Sequence, residues 1–372
     1  MDIREFKSRI ANRDITRRQA LQAMSAAGVG IVAQPVLSTA AGAANSDPSQ
    51  LISLTWSGYD VPELFPQWAQ AHGLPQFSYF SSQDEAMQKV RAGFAADVWH
   101  PCTSNTRRFT DAGTVAPLDT SRLEHWNDIW PSLQTVEGVV VYDQVHLLPI
   151  DWGNTSICYR TDVFGEDFEE SWSMILDPAY AGRISVPDST DNLVGVALAI
   201  GIDPYTMTDE DLEKVKAAML EQRKNVRFYW DSATEIVQAM AAGEIDLAVC
   251  WNEGVVNLNR EGIPVKFANP KEGLVTWVCG LVHNPSGESD EDLVYEFMNS
   301  WSSPEAGLFL INDYGYGHSN RKAFDLVPPE RLAELGLTSP EDMLARTKYA
   351  IEGPAGMRDK WNLVLEDVRL GM

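Results

Sequence analysis

Tryptophans beside carboxylates are the feature of this sequence that points most directly to chemistry. Five predicted strand ends carry a tryptophan next to small or polar residues: Trp56, Trp99, Trp152, Trp230 and Trp251. Four strand ends also carry a carboxylate: Asp60, Asp151, Asp231 and Glu253. An indole face attracts an ammonium group through its quadrupole, and a carboxylate neutralises that group where water is excluded. A single tryptophan is more often a core residue, but five at one structural position predict a binding site for a small cation.

Motifs of the common enzyme classes are absent. The sequence contains no G-x-S-x-G, no H-E-x-x-H, no P-loop and no G-x-G-x-x-G that opens a helix. Tyr314, Tyr316 and His318 alternate with glycines and could hold ferric iron, although such a segment is more typical of a loop that shapes a pocket rim. Carboxylate pairs of the glycosidase kind stay open at this stage. We expect no catalysis, no cofactor and no metal, with iron binding and hydrolysis as alternatives.

The charge balance limits the partners of the chain. The 372 residues include 53 Asp and Glu against 29 Lys and Arg, a formal net charge of −24. So strong a negative charge argues against a nucleic-acid partner, because polyphosphate would be repelled. Apolar residues make up 44% of the chain, which excludes a mainly disordered protein, and the length suggests two domains or one large one. The charge agrees with a cationic ligand but does not establish one.

The first 44 residues differ from the rest and predict an export signal. They carry six Lys and Arg against three acids, so the remainder has a net charge of −27. Arg17 and Arg18 are followed by a short apolar stretch over residues 20–33 and by small residues at 40–44, as in a twin-arginine-type signal peptide. The apolar stretch is too short and too rich in Ala and Gly for a membrane anchor. We therefore expect a periplasmic protein without an anchor.

The four cysteines, Cys102, Cys158, Cys250 and Cys279, are widely spaced and contain no C-x-x-C pair. All but Cys102 lie in apolar, strand-like runs. We expect buried free thiols rather than a disulfide, although an exported protein permits either.

The elements that must position these side chains alternate between strand and helix. A helix that begins with a capping box at Ser82 and ends at Gly93 leads into a strand that ends at Trp99. The same pattern recurs over residues 232–251, which predicts two similar α/β lobes. Because ligands of α/β sheets bind at the carboxyl ends of parallel strands, we expect the strand-end tryptophans and acids to meet there.

A series of short motifs, taken in order along the chain, resembles the extracellular solute-binding proteins of ABC importers, of the spermidine/putrescine-binding type. The motifs are Trp56-x-x-Tyr59, residues 84–93, residues 96–98, residues 112–119, Pro149-x-x-Trp152-Gly153, Trp251-Asn252, residues 270–273 and residues 303–305. The resemblance covers about residues 50–370. It implies the type II periplasmic binding protein fold, with two α/β lobes, each a mainly parallel sheet flanked by helices, joined by two crossovers. It also implies a monomeric receptor that passes a small cationic amine to an inner-membrane ABC permease.

The resemblance implies the boundaries of the lobes. We expect lobe 1 over residues 48–152 and 280–340, lobe 2 over 153–279, and a helical tail over 341–372. The crossovers are predicted near residues 149–155 and 277–281, where a hinge would let the lobes close on the ligand. Trp361 and Leu365 should anchor the tail.

The resemblance also implies a set of ligand contacts. These are Trp56, Tyr59, Cys102, Trp152, Asp188, Asp191, Trp230, Asp231, Trp251, Glu253 and Trp277. Trp56 and Tyr59 match the aromatics of the first lobe, Trp251 matches that of the second, and Glu253 falls where the family has an acid that grips an amine. Cys102 lies where polyamine binders carry a Ser and Tyr pair. This departure leaves a shorter diamine, a quaternary ammonium compound or a zwitterion open beside spermidine.

Overall fold

The computed structural model describes residues 45–165, 169–345, 347–353 and 356–372. The predicted signal peptide, residues 1–44, lies outside this range and stays a prediction. The strands are β1 (Ile52–Trp56), β2 (Gln76–Phe80), β3 (Val98–Trp99), β4 (Val140–Val141), β5 (Gln144–Val145), β6 (Leu148–Arg160), β7 (Ile184–Pro187), β8 (Val226–Trp230), β9 (Leu247–Trp251), β10 (Val265–Phe267), β11 (Val275–His283), β12 (Gly317–His318) and β13 (Lys348–Tyr349).

The helices alternate with these strands and flank the sheet. They are α1 (Pro66–His72), α2 (Gln83–Arg91), α3 (Thr103–Asp111), α4 (Pro131–Thr135), α5 (Thr161–Phe164), α6 (Thr190–Ala199), α7 (Asp209–Gln222), α8 (Ala233–Ala241), α9 (Asn252–Arg260), α10 (Glu291–Trp301), α11 (Pro304–Phe309), α12 (Arg321–Leu326), α13 (Pro329–Glu334), α14 (Pro340–Leu344) and α15 (Met357–Leu370). A π-helical turn covers Leu310–Tyr314.

The two halves of the main sheet have equivalent strand orders. Read inward from the two edges, these are β2-β1-β3-β11 and β8-β7-β9-β6. The full order is β2-β1-β3-β11-β6-β9-β7-β8. In the first half-sheet, β1 pairs in parallel with β2 and β3; in the second, β7 pairs in parallel with β8 and β9. Each half-sheet then meets a long antiparallel strand, β11 beside β3 and β6 beside β9. The predicted fold of two similar, mainly parallel α/β halves is therefore confirmed.

The doubled helix–strand unit occupies equivalent places in the two halves, with α2 between β2 and β3 and α8 between β8 and β9. The Ser82 hydroxyl accepts the Glu85 N–H at 3.2 Å, as predicted for an N-cap, whereas the carboxylate of Glu85 accepts the N–H of Ser81 rather than that of Ser82. Ser232 makes no capping hydrogen bond, so the second predicted capping box is wrong. The second helix still forms because its buried apolar face packs on the sheet.

Two long strands, β6 and β11, connect the halves of the sheet. They pair antiparallel with each other from Val275 opposite Thr155 to Leu281 opposite Leu148. All but the last residue of β6 are buried, as expected for a strand covered on both faces. The predicted crossovers fall on these two strands, while the exact lobe boundaries stay a prediction.

The tail packs against the second half-sheet through α15. Trp361, Val364, Leu365 and Val368 are buried in the apolar cluster of that half. The predicted anchors, Trp361 and Leu365, are therefore confirmed. Polar residues of α15 that border this apolar face line the cavity described below.

The prediction for the cysteines is wrong for one pair and confirmed for the other. Cys102 and Cys279 form a disulfide, while Cys158 and Cys250 are free and buried. Cys102 lies at the start of α3, directly opposite Cys279 of β11 in an isolated antiparallel bridge. This pairing is made by residues 177 positions apart, so no local pattern reveals it.

Candidate ligand-binding cleft

A cavity of about 600 Å³ lies at the carboxyl ends of the six parallel strands. Residues that follow β1, β2 and β3 line one side, residues that follow β7, β8 and β9 line another, and α15 supplies a third wall. The volume is within the usual range for a small-molecule site. The strand ends therefore converge on one cavity, as the alternation of strands and helices predicts.

Nine of the eleven predicted contact residues line this cavity. They are Trp56, Tyr59, Cys102, Asp188, Asp191, Asp231, Trp251, Glu253 and Trp277. Trp152 and Trp230 do not: both are fully buried side chains. Trp152 stacks on Phe324, and Trp230 donates its indole N–H to the carbonyl of Val249 at 3.1 Å. These two tryptophans are therefore core residues.

Two tryptophans from different half-sheets meet in the cavity. The rings of Trp56 and Trp251 lie 6.3 Å apart in an edge-to-face arrangement. Trp56 is supported by Phe80, at 4.4 Å, and Trp251 by Trp230, at 5.1 Å. Trp230 thus positions a cavity residue without lining the cavity itself. Together Trp56 and Trp251 offer aromatic faces of the kind that attract an organic cation.

Tyr59 is held by a buried hydrogen-bonded chain. Its hydroxyl donates to Asp151 Oδ2 at 2.7 Å, and Asp151 Oδ1 lies 2.9 Å from His100 Nε2. His100 Nδ1 in turn lies 3.3 Å from the hydroxyl of Thr55. Burial, and then the charge of Asp151, raises the pKa of Tyr59 well above its ordinary value, so the phenol stays protonated. The chain fixes the orientation of Tyr59 and occupies the carboxylate of Asp151.

Glu253 has weak hydrogen-bond partners. Asn257 Nδ2 donates to one carboxylate oxygen at 3.3 Å and the hydroxyl of Tyr316 donates to the other at 3.4 Å. Burial raises the pKa of Glu253, and these two bonds offset the effect only in part. A carboxylate in this position is stabilised by a cation that takes the place of lost water.

Trp277 and Tyr316 form the wall beside Glu253. Their rings meet edge to face at 4.9 Å. Gly153 on β6 permits this arrangement, because a Cβ atom there would lie 2.6 Å from the Trp277 ring. Tyr316 was seen in the sequence only as part of a possible metal motif, and its contact with Glu253 depends on the tertiary fold.

Three aspartates of the second half-sheet differ in their partners. Asp191 Oδ2 accepts the indole N–H of Trp251 at 3.2 Å, and burial raises the pKa of Asp191. Asp188 is paired with Arg369, whose Nε lies 2.6 Å from Asp188 Oδ1. Burial and the neighbouring Asp188 raise the pKa of Asp231. Arg358 partly lowers the pKa of Asp191 and Arg369 that of Asp231, but neither aspartate forms an ion pair within the described residues.

The lining of the cavity is strongly acidic, and its only two arginines in the described part of the chain both lie on α15. Its carboxylates are Asp84, Glu85, Asp151, Asp188, Asp191, Asp231, Glu253 and Glu366, against the two guanidinium groups of Arg358 and Arg369. Sequence reasoning missed both arginines. The signal available was a polar stripe on α15, where Arg358, Asn362, Glu366 and Arg369 recur at helical spacing.

The side chains of Tyr314 and His318, which the sequence offered as possible iron ligands, form hydrogen bonds within the protein. The hydroxyl of Tyr314 donates to the carbonyl of Gly58. His318 Nε2 bonds the Trp301 carbonyl at 3.2 Å, its Nδ1 accepts the Asn320 N–H at 3.1 Å, and burial lowers its pKa to about 4. Within the described ranges, no group of three or more His, Cys, Asp or Glu residues could hold a metal ion.

None of the helices in the described part of the chain has the length and apolar character needed to cross a membrane.

The arrangement of cleft and sheet agrees with comparison to known proteins. The family model of the bacterial extracellular solute-binding proteins matches residues 68–335, more than half of the chain. The chain belongs to this family. The resemblance inferred from its short motifs is thereby confirmed.

Several members of the family are similar over most of the chain. The putrescine-binding periplasmic protein PotF of Escherichia coli is 26% identical over 337 residues, which cover 85% of this chain and 90% of that protein. The spermidine/putrescine-binding periplasmic protein of Escherichia coli is 23% identical over 308 residues, 81% and 86% of the two chains. A solved structure titled as a putative spermidine/putrescine ABC transporter from Listeria monocytogenes has a TM-score of 0.79 at 20% identity, covering 87% of this chain and 100% of that one. That likeness confirms the fold.

Proposed function

We propose that this solute-binding protein is the periplasmic receptor of an ABC importer and captures a small cationic amine of the putrescine and spermidine class. The observation that carries the proposal is the acidic, aromatic cavity, in which Trp56 and Trp251 lie beside carboxylates that form no ion pair in the described part of the chain. An ammonium group gains from both the indole faces and the negative charge. The names of the relatives, which bind putrescine or spermidine, support the same class of ligand.

The proposed ligand contacts follow from the geometry. Trp56 and Trp251 flank the alkyl chain, and Glu253 accepts an ammonium group. Asp231 is available to a second one, while Asp191 accepts the indole N–H of Trp251. The carboxylate of Asp151 is held by Tyr59 and His100, so it acts by positioning Tyr59.

The proposal includes a route for the solute. The twin-arginine-type signal over residues 1–44 exports the chain, the lobes over residues 48–152 with 280–340 and over 153–279 close on the ligand, and the closed monomer presents it to an inner-membrane permease. Closure by bending at β6 and β11 agrees with their position as the two strands that join the half-sheets.

Titration calorimetry of the mature protein with putrescine, spermidine, choline and Fe³⁺ tests the proposal. We expect saturable binding of at least one organic amine and a change in tryptophan fluorescence that Trp251→Ala abolishes. Binding of iron alone, or of none of the amines, would overturn the proposed function.

A further inference from the structure

Arg358 is a cation in a cavity that is otherwise lined mainly by carboxylates. It lies in the first turn of α15 and lines the cavity together with Asn362, one helical turn further on. Trp361, three residues further along the same helix, is fully buried in the core of the second half-sheet. The packing of Trp361 therefore directs the stripe that contains Arg358 towards the cavity.

The two arginines of the cavity differ in their partners. Arg369 is paired with Asp188, with nitrogen–oxygen distances of 2.5 and 2.6 Å. Arg358 forms no ion pair within the residues that the structure describes, and its buried Nε atom has no hydrogen-bond partner. Its guanidinium carbon lies 5.5 Å from the centroid of the Trp361 ring. Arg358 is thus a cavity cation whose donors are available to a ligand.

A partly buried guanidinium group without an acceptor destabilises the cavity unless a ligand supplies the missing hydrogen bonds. A buried donor without an acceptor loses the hydrogen bonds that water would provide, and a charged donor loses more than a neutral one. The planar guanidinium fork matches the two oxygens of a carboxylate, which it binds bidentately. It repels a second ammonium group. A receptor for a plain diamine gains nothing from Arg358, whereas a receptor for an amine that carries a carboxylate does.

The anion position at Arg358 is separate from the ammonium position at Glu253. The hydrogen bonds of Glu253 come from Asn257 and Tyr316. Arg358 instead lies near Asp191, whose pKa is raised by burial and partly lowered by the Trp251 bond and by Arg358. Asp191 Oδ2 accepts the Trp251 N–H, and no ion pair joins Asp191 to Arg358 within the described residues. A ligand that uses both positions has its two charges at different ends.

We propose that Arg358 binds a carboxylate of the ligand and that the ligand is an ω-aminocarboxylate, with an ammonium group at one end and a carboxylate at the other. The inference rests on the proposed capture of an amine and narrows its class: the ammonium end uses the aromatic and acidic site described there, and a carboxylate takes the place of the second ammonium group of a diamine. Asn362 and Tyr205, which also line the cavity, are the side-chain donors on the same side that can join Arg358 at the carboxylate.

A matched series of ligands and variants tests this inference. The ligands are 4-aminobutanoate, its neutral amide and 1,4-diaminobutane, with the six-carbon homologues beside them, each titrated calorimetrically into the mature protein. We expect the wild type to bind the acid at least about tenfold more tightly than the amide, about 1.4 kcal/mol. Arg358→Gln should abolish that preference and strengthen diamine binding, and Arg358→Lys should keep part of it because the charge remains while the fork is lost.

Controls separate a local effect from a general one. Arg321→Gln removes the same charge from an exposed position outside the cavity and should leave the preference unchanged. Thermal unfolding of each variant checks that it is folded. If the wild type binds diamines more tightly than the acids, or if Arg358→Gln keeps the preference for the acid, the inference is wrong while the proposed function stands. If the wild type binds none of these amines, both fail.

Discussion

Replacing Glu253 by glutamine is the sharpest test of how the cavity holds an amine. The substitution keeps the shape of the side chain and removes its charge. An ammonium group about 4 Å from a carboxylate gains about 4 kcal/mol at an effective dielectric constant of about 20. Part of this gain offsets the desolvation of both charges, and truncating one partner of a partly buried pair costs roughly 2–5 kcal/mol. Since Glu253 is partly buried and its two hydrogen bonds are long, we expect a loss of about 2–3 kcal/mol, about 30- to 150-fold in Kd.

The assay is calorimetric titration of wild type and variant with the tightest-binding amine, with Glu305→Gln as the matched control. Glu305 is exposed and lies outside the cavity, so its variant removes the same charge without touching the site. We expect the control to bind within about twofold of the wild type, because exposed charges are screened. Binding by Glu253→Gln within about threefold of the wild type would refute the assignment of Glu253 as an ammonium ligand.

The same variant predicts a change in pH dependence. Burial raises the pKa of Glu253, and a protonated carboxyl does not bind an ammonium group as a charge partner. The amine itself stays protonated between about pH 5 and about pH 8. Affinity should therefore be highest well above the raised pKa and fall as the pH drops through it. This fall should be shallower in Glu253→Gln; an equal slope in both proteins would show that another group is responsible.

Three further predictions concern the aromatic wall, the tail and the cysteines. Trp251→Ala should weaken amine binding by about tenfold or more, measured by calorimetry, because it removes a cation–π surface worth about 1–2 kcal/mol; unchanged affinity would place the ligand elsewhere. Trp361→Ala should lower the free energy of unfolding by about 3–5 kcal/mol in denaturant titrations, whereas Leu363→Ala, at a side chain 60% exposed, should change it little; equal effects would contradict the packing of α15. Alkylation of the mature protein, unfolded without reductant, should label only Cys158 and Cys250 in mass spectrometry, and labelling of all four cysteines would contradict the disulfide.

The parts of the fold that the sequence predicts are those set by nearby residues. The N-cap at Ser82 and the strand that ends at Trp251 follow from local patterns, and both are present. The capping bond of Ser232 does not form, because tertiary packing rather than the cap stabilises that helix. The Cys102–Cys279 disulfide depends on which strands become neighbours, a property that spacing along the chain does not encode.

The candidate site divides in the same way. Residues at strand ends, such as Trp56 and Asp231, were predictable because the carboxyl ends of parallel strands share an edge. The direction in which each side chain points could not be predicted from the sequence. Trp152 and Trp230, which were expected to contact the ligand, are core residues. Arg358 was not predicted as a cavity residue because its position depends on how α15 packs on the second half-sheet. That packing is determined by the apolar face of the helix.

The strand order has a consequence for how the chain folds. The first half-sheet includes β11, which lies more than 170 residues after β3 in the sequence. This half-sheet is therefore not complete until most of the chain is available. Closing a loop of that length carries an entropic cost, and contacts between such distant residues slow folding. Until β11 arrives, β3 is an open edge, and its two-residue length limits the backbone it offers to a neighbouring chain. We expect the second half-sheet to form first and to provide the surface on which the rest assembles, because its long strand β6 and its parallel strands β7 to β9 all lie within residues 148–251.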